Sequence, residues 1–499
     1  MAATFYNYIA GEWVPARSGK AFPNENPATR EILHYFPDSS ADDVGDAMAA
    51  AVKAARRWRA LPAPRRAELI FRAGQLLLER KEELAREMTQ EMGKVLVEAR
   101  GDVQEGIDMA FYMAGEGRRL FGQTVPSELP NKFAMSVRVP KGVVGAITPW
   151  NFPIAIPCWK LMPALVAGNT VVFKPSQFSP KSAWNLVRVL EEAGLPPGVL
   201  NVVFGEGAVP GAALVDASAV NHISFTGSTT VGRKVGVRCA ELGKSVHLEM
   251  GGKNAIIVMD DADLDLAIDG AVWSAFGTSG QRCTAASRLL VHRAVHDRFL
   301  DRLVDRVKTL RLGDGLDPRT DVGPVVNQPQ YEKVLSYLQI GRDEGATVAV
   351  GGGPAKRDGL PPGYFIEPTI FVDVKPEMRI AQEEIFGPVT AAIRVNDLDE
   401  AVAINDGVIY GLSSSVFTQD VNKAFRALER ITTGIVYVNA GTIGAEIQLP
   451  FGGTRATGNG HREAGQAALE TYTEWKTLYI DYSGRLQRAQ IDLETDDDA

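Results

Sequence analysis

Apolar positions set the rhythm of this chain. Leu69, Ile70, Ala73, Leu76, Leu77, Leu84 and Met88 recur near helical spacing with Glu, Lys and Arg between them, which predicts one amphipathic helix over about 66–92. A helix precedes it from Ser40 through Trp58, with Asp43 placed as in a capping box, and Pro62 and Pro64 end it. Another helix covers roughly 95–120, and the charged faces of these helices read as solvated surface. Residues 5–36 read as short strands and turns, with 8–14 as a hairpin.

From about 141 the pattern changes. β-rich apolar runs at 143–147, 169–174, 198–203, 219–226 and 245–249 alternate with helical segments such as 180–193 and 229–242. That alternation predicts an α/β fold with a parallel, doubly wound sheet, whose ligands bind at the carboxyl ends of the strands. A second βα-rich region runs from about 252 to 450, with a helix near 295–309. A late helix near 463–470 and a strand-like 476–480 follow, and the acidic final residues, 494–498, read as frayed. There is no internal repeat.

Composition narrows the classes. A chain of 499 residues is too long for one core, so two or three domains are expected. Apolar residues make up 45% and charged residues 23%, the balance of a soluble globular protein. The net charge of −8, without a basic tail or stripe, argues against nucleic acid as a partner. No apolar run reaches the length of a membrane span, and residues 1–7 lack the features of a signal peptide. Cys158, Cys239 and Cys283 are too few and too scattered for a disulfide framework or a zinc site, so no metal is expected and a cytoplasmic location is the default.

Candidate chemistry gathers at strand ends and in one cysteine loop. Cys283 lies in a run of small residues directly after Arg282, where backbone N–H groups can approach a ligand. A thiolate is the useful nucleophile, and a nearby cation or helix N-terminus lowers a thiol's pKa; a buried structural cysteine fits the same composition. Phe225-Thr226-Gly227-Ser228-Thr229-Thr230-Val231-Gly232 follows a strand and opens a helix, so Gly227 and Ser228 suit an anion, as they also suit a plain turn. Lys174, at another strand end, can reach ribose hydroxyls or phosphate, or simply face solvent. Asn151, in Thr148-Pro149-Trp150-Asn151-Phe152-Pro153, offers an oxyanion donor or a turn. Glu249, before Met250-Gly251-Gly252, suits a general base with a raised pKa or a salt bridge.

Taken together and in this order, T-P-W-N-F-P, F-T-G-S-T-T-V-G, L-E-M-G-G-K-N, G-Q-R-C, E-E-I-F-G-P and P-F-G-G resemble the aldehyde dehydrogenase superfamily over nearly the whole chain. The resemblance implies two Rossmann-like domains and a small β oligomerisation arm. The cofactor-binding domain would span 1–122 and 141–251, and the catalytic domain 252–450. The arm and C-terminal tail would be 123–140 and 471–499. It implies Cys283 as nucleophile, Glu249 as general base, and Asn151 with the Cys283 backbone N–H as oxyanion hole. NAD or NADP would contact Ile147, Trp150, Lys174, Ser176, Gln177, Gly207, Gly227, Ser228, Gly251, Glu384 and Phe386. Phe152, Trp159 and Phe451 would line an aldehyde tunnel. The implied reaction is thiolate attack on an aldehyde, hydride transfer to nicotinamide, and hydrolysis of the thioester by water that Glu249 activates. A homodimer or homotetramer is the implied assembly.

Several positions depart from the family pattern. Gln177 stands where NAD-preferring members often carry Glu. A neutral Gln removes the repulsion of a 2′-phosphate, whereas Glu206 borders the adenosine and opposes one. Use of both cofactors is the expectation; Gln177 merely packing at the strand end would leave ordinary NAD preference. Arg455, Thr457 and His461 follow the Pro450-Phe451-Gly452-Gly453 segment in place of the usual residues. The tail beyond Ile480 is long, and either reaches a neighbouring subunit or hangs loose. Arg282 is charged where many members are not, and either holds a substrate carboxylate or points away. The chain also resembles semialdehyde dehydrogenases, particularly those acting on 2-oxoglutarate semialdehyde. Competing readings are a CoA-acylating dehydrogenase, which Glu249 disfavours, a thiol esterase or hydrolase using one of six histidines, and a non-catalytic descendant.

Overall fold

The computed structural model describes residues 2–491, so the acidic end at 494–498 lies outside the described residues. Two seven-stranded sheets dominate. In the first, Val143–Ile147 is central. Thr170–Lys174 and Leu200–Val202 follow on one side, His222–Thr226 and Ser245–Glu249 on the other, all parallel. The hairpin Asn7–Ile9/Glu12–Val14 closes one edge antiparallel, with Tyr8 opposite Trp13. The chain reverses its direction of travel between the 143–147 and 222–226 strands, which opens a crevice at their carboxyl ends.

The second sheet is built the same way around Asn254–Val258. Ala286–His292, Val389–Val395 and Thr369–Val372 extend it on one side, Ser413–Phe417 and Ile435–Val438 on the other. Only four residues, 250–253, separate Glu249 at the end of the first sheet from Asn254 at the start of the second. The α/β reading therefore holds, with both sheets packed against buried helices. The helix Ala155–Ala167 is buried along its whole length and apolar but for Lys160, which is paired with Glu463. A separate antiparallel sheet joins Gln123–Pro126, Lys132–Pro140 and Thr473–Asp481. Beyond it Gln487 donates to the Pro130 carbonyl (2.8 Å), so the chain folds back on this sheet at that point.

Three expectations need correction. The helix read over 66–92 is two, Ala63–Glu79 and Lys81–Met92, with Arg80 out of helical geometry (φ −103°, ψ 10°). No Gly or Pro marks the break, so periodicity runs through it. The late helix is Ala467–Tyr472 rather than 463–470, because Glu463 pairs in extended conformation with Phe451.

The charged faces are not all solvated: Glu91, Lys94, Glu98 and Asp102 are buried. Three of these acids satisfy orphan N–H groups of other segments. Glu91 accepts from the N–H groups of Lys181 and Ser182 (2.9 and 2.7 Å) at the start of the Pro180–Glu192 helix. Asp102 accepts from Ile154 and Ala155 (3.3 and 2.8 Å) at the start of the Ala155–Ala167 helix. Glu98 accepts from the Thr278 N–H (2.8 Å) in the cysteine loop.

Candidate active site

The cysteine loop is held in a strained shape. Thr278, Ser279 and Gly280 all have left-handed backbones (φ 52°, 55° and 69°). Two of them are not glycine, so surrounding contacts must impose the conformation. Glu98 holds the Thr278 N–H, and Ser279 Oγ donates to the Gly323 carbonyl (2.7 Å). A Cβ on Gly280 would strike the Gly387 carbonyl, so the loop lies flat against the Glu384-Ile385-Phe386-Gly387 segment. Asn254 then fixes the sulfur-bearing residue: its Nδ2 donates to the carbonyls of Cys283 (2.7 Å) and Ala285 (3.0 Å). Asn254 closes the L-E-M-G-G-K-N motif, but the sequence reading gave it no role.

Cys283 lines two cavities at once. The first, about 160 Å³, is also lined by Trp150, Asn151, Gly227, Ser228, Gly251, Glu384 and Phe386. The second, about 120 Å³, is lined by Phe152, Trp159, Glu249, Arg282 and Phe451. Three strand-end motifs of the first sheet and two segments of the second therefore converge on one sulfur. Asn151 is buried, and its carbonyl accepts from Lys94 Nζ (2.7 Å), which itself pairs with Asp102 (2.8 Å).

The first cavity suits a dinucleotide. Ser228 caps the Thr229–Glu241 helix, its Oγ accepting from the Val231 N–H (3.4 Å), so the positive end of that helix faces the cavity. A side chain on Gly251 would run into the Glu384 carboxylate, one oxygen of which accepts from the Gly252 N–H (2.9 Å). That oxygen is anchored, leaving the other for a ligand hydroxyl. Phe386 is left-handed (φ 62°), and Gln330 holds its carbonyl (2.7 Å). Its ring meets Trp150 edge-on at 5.4 Å. Gln330 and Lys333, on the Gln328–Asp343 helix, also line this cavity and carried no signal in the sequence.

Ile147, Lys174, Ser176, Gln177 and Gly207 do not line the cavity that reaches Cys283. They form a second group beside it: Ile147 pairs with Lys174 at adjacent strand ends, and Gly207 N–H donates to Gln177 Oε1 (3.2 Å). Lys174 is buried, and desolvation lowers its ammonium to about 8. Ser176 Oγ accepts locally from the Phe178 N–H (3.2 Å).

The second cavity is a tunnel toward the sulfur. Trp159 and Phe451 meet edge-on at 4.8 Å. Arg282 lines the wall, its Nε donating to Thr278 Oγ1 (2.9 Å) and its Nη2 to Glu98 (3.3 Å), while its guanidinium lies over Phe152 and Trp273. Glu105 and Glu463 line it too, and the sequence reading missed both. Burial first, then the Asp102 charge, raises Glu105 to about 8.

Two electrostatic results stand out. Burial, and next the Glu384 and Glu249 charges, push the Cys283 thiol far up, and the Thr284 N–H only partly offsets them. Arg282 does not activate the sulfur as its position in the sequence suggested; its guanidinium is turned to Glu98. Glu249 is buried, neither of its oxygens has a hydrogen-bond partner among the described residues, and desolvation followed by the Glu463 charge holds its carboxyl well above the usual range. The unusual Thr457 has a structural task. Its Oγ accepts from the Gly411 N–H (3.0 Å) and donates to the Gly251 carbonyl (2.8 Å), tying the 451–458 loop to the glycine pair. Arg455 instead bonds the Tyr410 carbonyl (2.9 Å) away from both cavities.

The comparisons agree with this geometry. The model of the aldehyde dehydrogenase family matches residues 13–478. An alpha-ketoglutaric semialdehyde dehydrogenase of Bacillus subtilis is 42% identical over 478 residues, covering 96% of this chain and 98% of its own. A betaine aldehyde dehydrogenase from Staphylococcus aureus, solved in complex with NAD+, superposes with a TM-score of 0.94 at 35% identity, covering 96% of each chain. A 3,6-anhydro-L-galactose dehydrogenase in complex with NADP gives 0.93 at 37% identity, over 96% of this chain and 100% of that one. The chain belongs to the aldehyde dehydrogenase family and is an NAD(P)-dependent aldehyde oxidoreductase.

Proposed function

We propose that this enzyme oxidises a carboxylate-bearing semialdehyde, of the 2-oxoglutarate semialdehyde class, to the dicarboxylic acid. The observation that carries this reading is Arg282 on the tunnel wall beside the nucleophile. Its Nε and Nη2 are engaged, but among the described residues nothing accepts from Nη1. That edge can hold a carboxylate by a charge-assisted bond. The likeness to the Bacillus subtilis semialdehyde dehydrogenase supports it. The test is kcat/KM for semialdehydes against uncharged aldehydes of equal length. A preference of about tenfold or more, lost in Arg282→Ala, is expected for a site built around a polar contact. No preference, or no loss in the variant, would refute the substrate class.

The roles follow from the chemistry of each group. Deprotonated Cys283 attacks the aldehyde carbon. The Asn151 amide and the Cys283 N–H stabilise the oxyanion, an effect worth about 3–4 kcal/mol per donor in such sites. Trp150, Ser228, Glu384 and Phe386 would hold NAD or NADP in the first cavity, where it would supply the hydride acceptor. The acyl group remains on Cys283 as a thioester. Glu249 takes a proton from water, the oxygen adds to the thioester, and the acid departs as the Cys283 thiolate reforms. A carboxylate that lines the same tunnel as the sulfur, with no hydrogen-bond partner among the described residues, favours water over CoA as acyl acceptor.

The same reading extends to cofactor and assembly. The Gly207 N–H can only donate, so Gln177 must turn its oxygen inward and its NH₂ outward, where it can donate to a phosphate. Both NAD and NADP are therefore used. The 473–481 strand exposes Trp475, Tyr479 and Ile480, and a second copy covering this arm makes the enzyme a homodimer or homotetramer. Among the described residues no helix is long and apolar enough to cross a membrane, and all three cysteines are unpaired, which suits a reducing cytoplasm.

A further inference from the structure

His247 lies two residues before Glu249 on one strand, so both side chains leave the same face of the sheet. It is wholly buried, and neither ring nitrogen has a hydrogen-bond partner among the described residues. Nε2 stands 3.5 Å from Glu249 Oε1 and Nδ1 stands 3.6 Å from Glu463 Oε1. Each gap is at or just beyond hydrogen-bond range, so a small closure of the site completes both contacts. Buried polar atoms left unpaired are costly, and here both ring nitrogens of His247 and both carboxylate oxygens of Glu249 are such atoms. Glu463 in turn pairs with Lys160, whose Nζ donates to Ser224 Oγ (3.1 Å), where Tyr472 also donates (2.9 Å).

We propose that His247 is a positioning residue for the deacylating base and conducts its proton to Glu463. This rests on Glu249 being that base. The oxidation releases two protons for each aldehyde consumed, so the base must discharge before it can act again. Glu249 passes its proton to Nε2 while Nδ1–H passes to Glu463; the imidazole ends as the opposite neutral tautomer and net one proton has moved. Glu463 lines the tunnel and releases it to water once the product leaves. The groups facing His247 from all sides are Glu249, Glu463, Lys160, His222, His461 and Lys141. Burial and the neighbouring Lys160 keep the ring neutral, which is the form a two-tautomer shuttle needs.

The test uses the full-length enzyme with His247→Gln, Glu463→Gln and Glu249→Gln, followed by rapid mixing of enzyme, cofactor and aldehyde. In His247→Gln the first-turnover burst of reduced cofactor should keep its amplitude, while steady-state kcat falls by about tenfold or more. The deuterium solvent effect should grow, and small buffer bases should restore part of the rate in proportion to their concentration. Glu463→Gln should behave alike, which keeps the proposal testable if the histidine variant folds poorly. Wild-type kcat and pH profile in both variants, with Glu249→Gln still defective in deacylation, would overturn the relay. Loss of rate without buffer rescue, accompanied by a lower melting temperature, would assign His247 to packing and also overturn it. A Glu249→Gln enzyme that deacylates normally would instead remove the base itself.

Discussion

At the residue scale, Cys283, Glu249 and Asn151 were picked out by the joint order of the motifs, since each alone also fitted a buried cysteine, a salt bridge or a turn. Their environment was not legible. The thiol is raised by burial and by three carboxylates rather than lowered by its basic neighbour, since a side chain's direction is set by the fold and not by adjacency in the chain. His247 and Glu463 escaped notice for a related reason: they meet only once the 451–466 segment crosses the first sheet. The raised carboxyl of Glu249 makes a signed prediction. Protonated it cannot accept from water, so thioester hydrolysis should accelerate with rising pH, through a midpoint well above the ordinary carboxylate range. Steady-state rates measured across pH under deacylation-limited conditions check this; a flat profile there would contradict it. Gln177 supplies a second prediction. Replacing it by Glu puts a carboxylate where an outward NH₂ stood, so kcat/KM for NADP should fall by about tenfold or more while NAD changes little. An unchanged NADP-to-NAD ratio would release position 177 from any part in the choice.

At the scale of elements, strand ends carried most of the information and helix faces misled. Charged residues spaced along 81–116 look solvated by periodicity, yet Glu91, Glu98 and Asp102 serve as caps for segments distant in sequence. Nothing local announces a cap supplied from another helix. Asp102 is the clearest case, because the same carboxylate that starts the Ala155–Ala167 helix also pairs with Lys94, which holds the Asn151 carbonyl. Lys94→Met should therefore leave a buried charge uncompensated and cost about 3–5 kcal/mol of stability. It should also weaken acylation through Asn151. Denaturant midpoints and burst rates check the two effects; a variant as stable as wild type would mean that the pair is dispensable.

At the scale of the whole molecule, the alternation of strands and helices revealed two similar halves, but not that four residues join them at the catalytic seam. The arm was anticipated from the family resemblance, whereas the return of Gln487 to Pro130 was not, because a polar tail without periodicity gives no register. Trp475 and Tyr479 are exposed on the arm, with Arg138 over the first ring and Lys132 over the second. Trp475→Glu with Tyr479→Glu should reduce the solution mass, measured by light scattering, from an oligomer toward a monomer; a wild type that is already monomeric would dispose of the arm as an interface.

The proposed chemistry turns on one sulfur serving both cavities and one carboxylate clearing it. Rapid mixing of cofactor and aldehyde with wild type, Cys283→Ala and Glu249→Gln tests that most directly. The prediction is no reduced cofactor from Cys283→Ala although it still binds NAD, and, from Glu249→Gln, a burst of about one equivalent per site followed by a steady rate at least a hundredfold below wild type, the order of a lost general base. Near-normal turnover by Cys283→Ala would contradict the account.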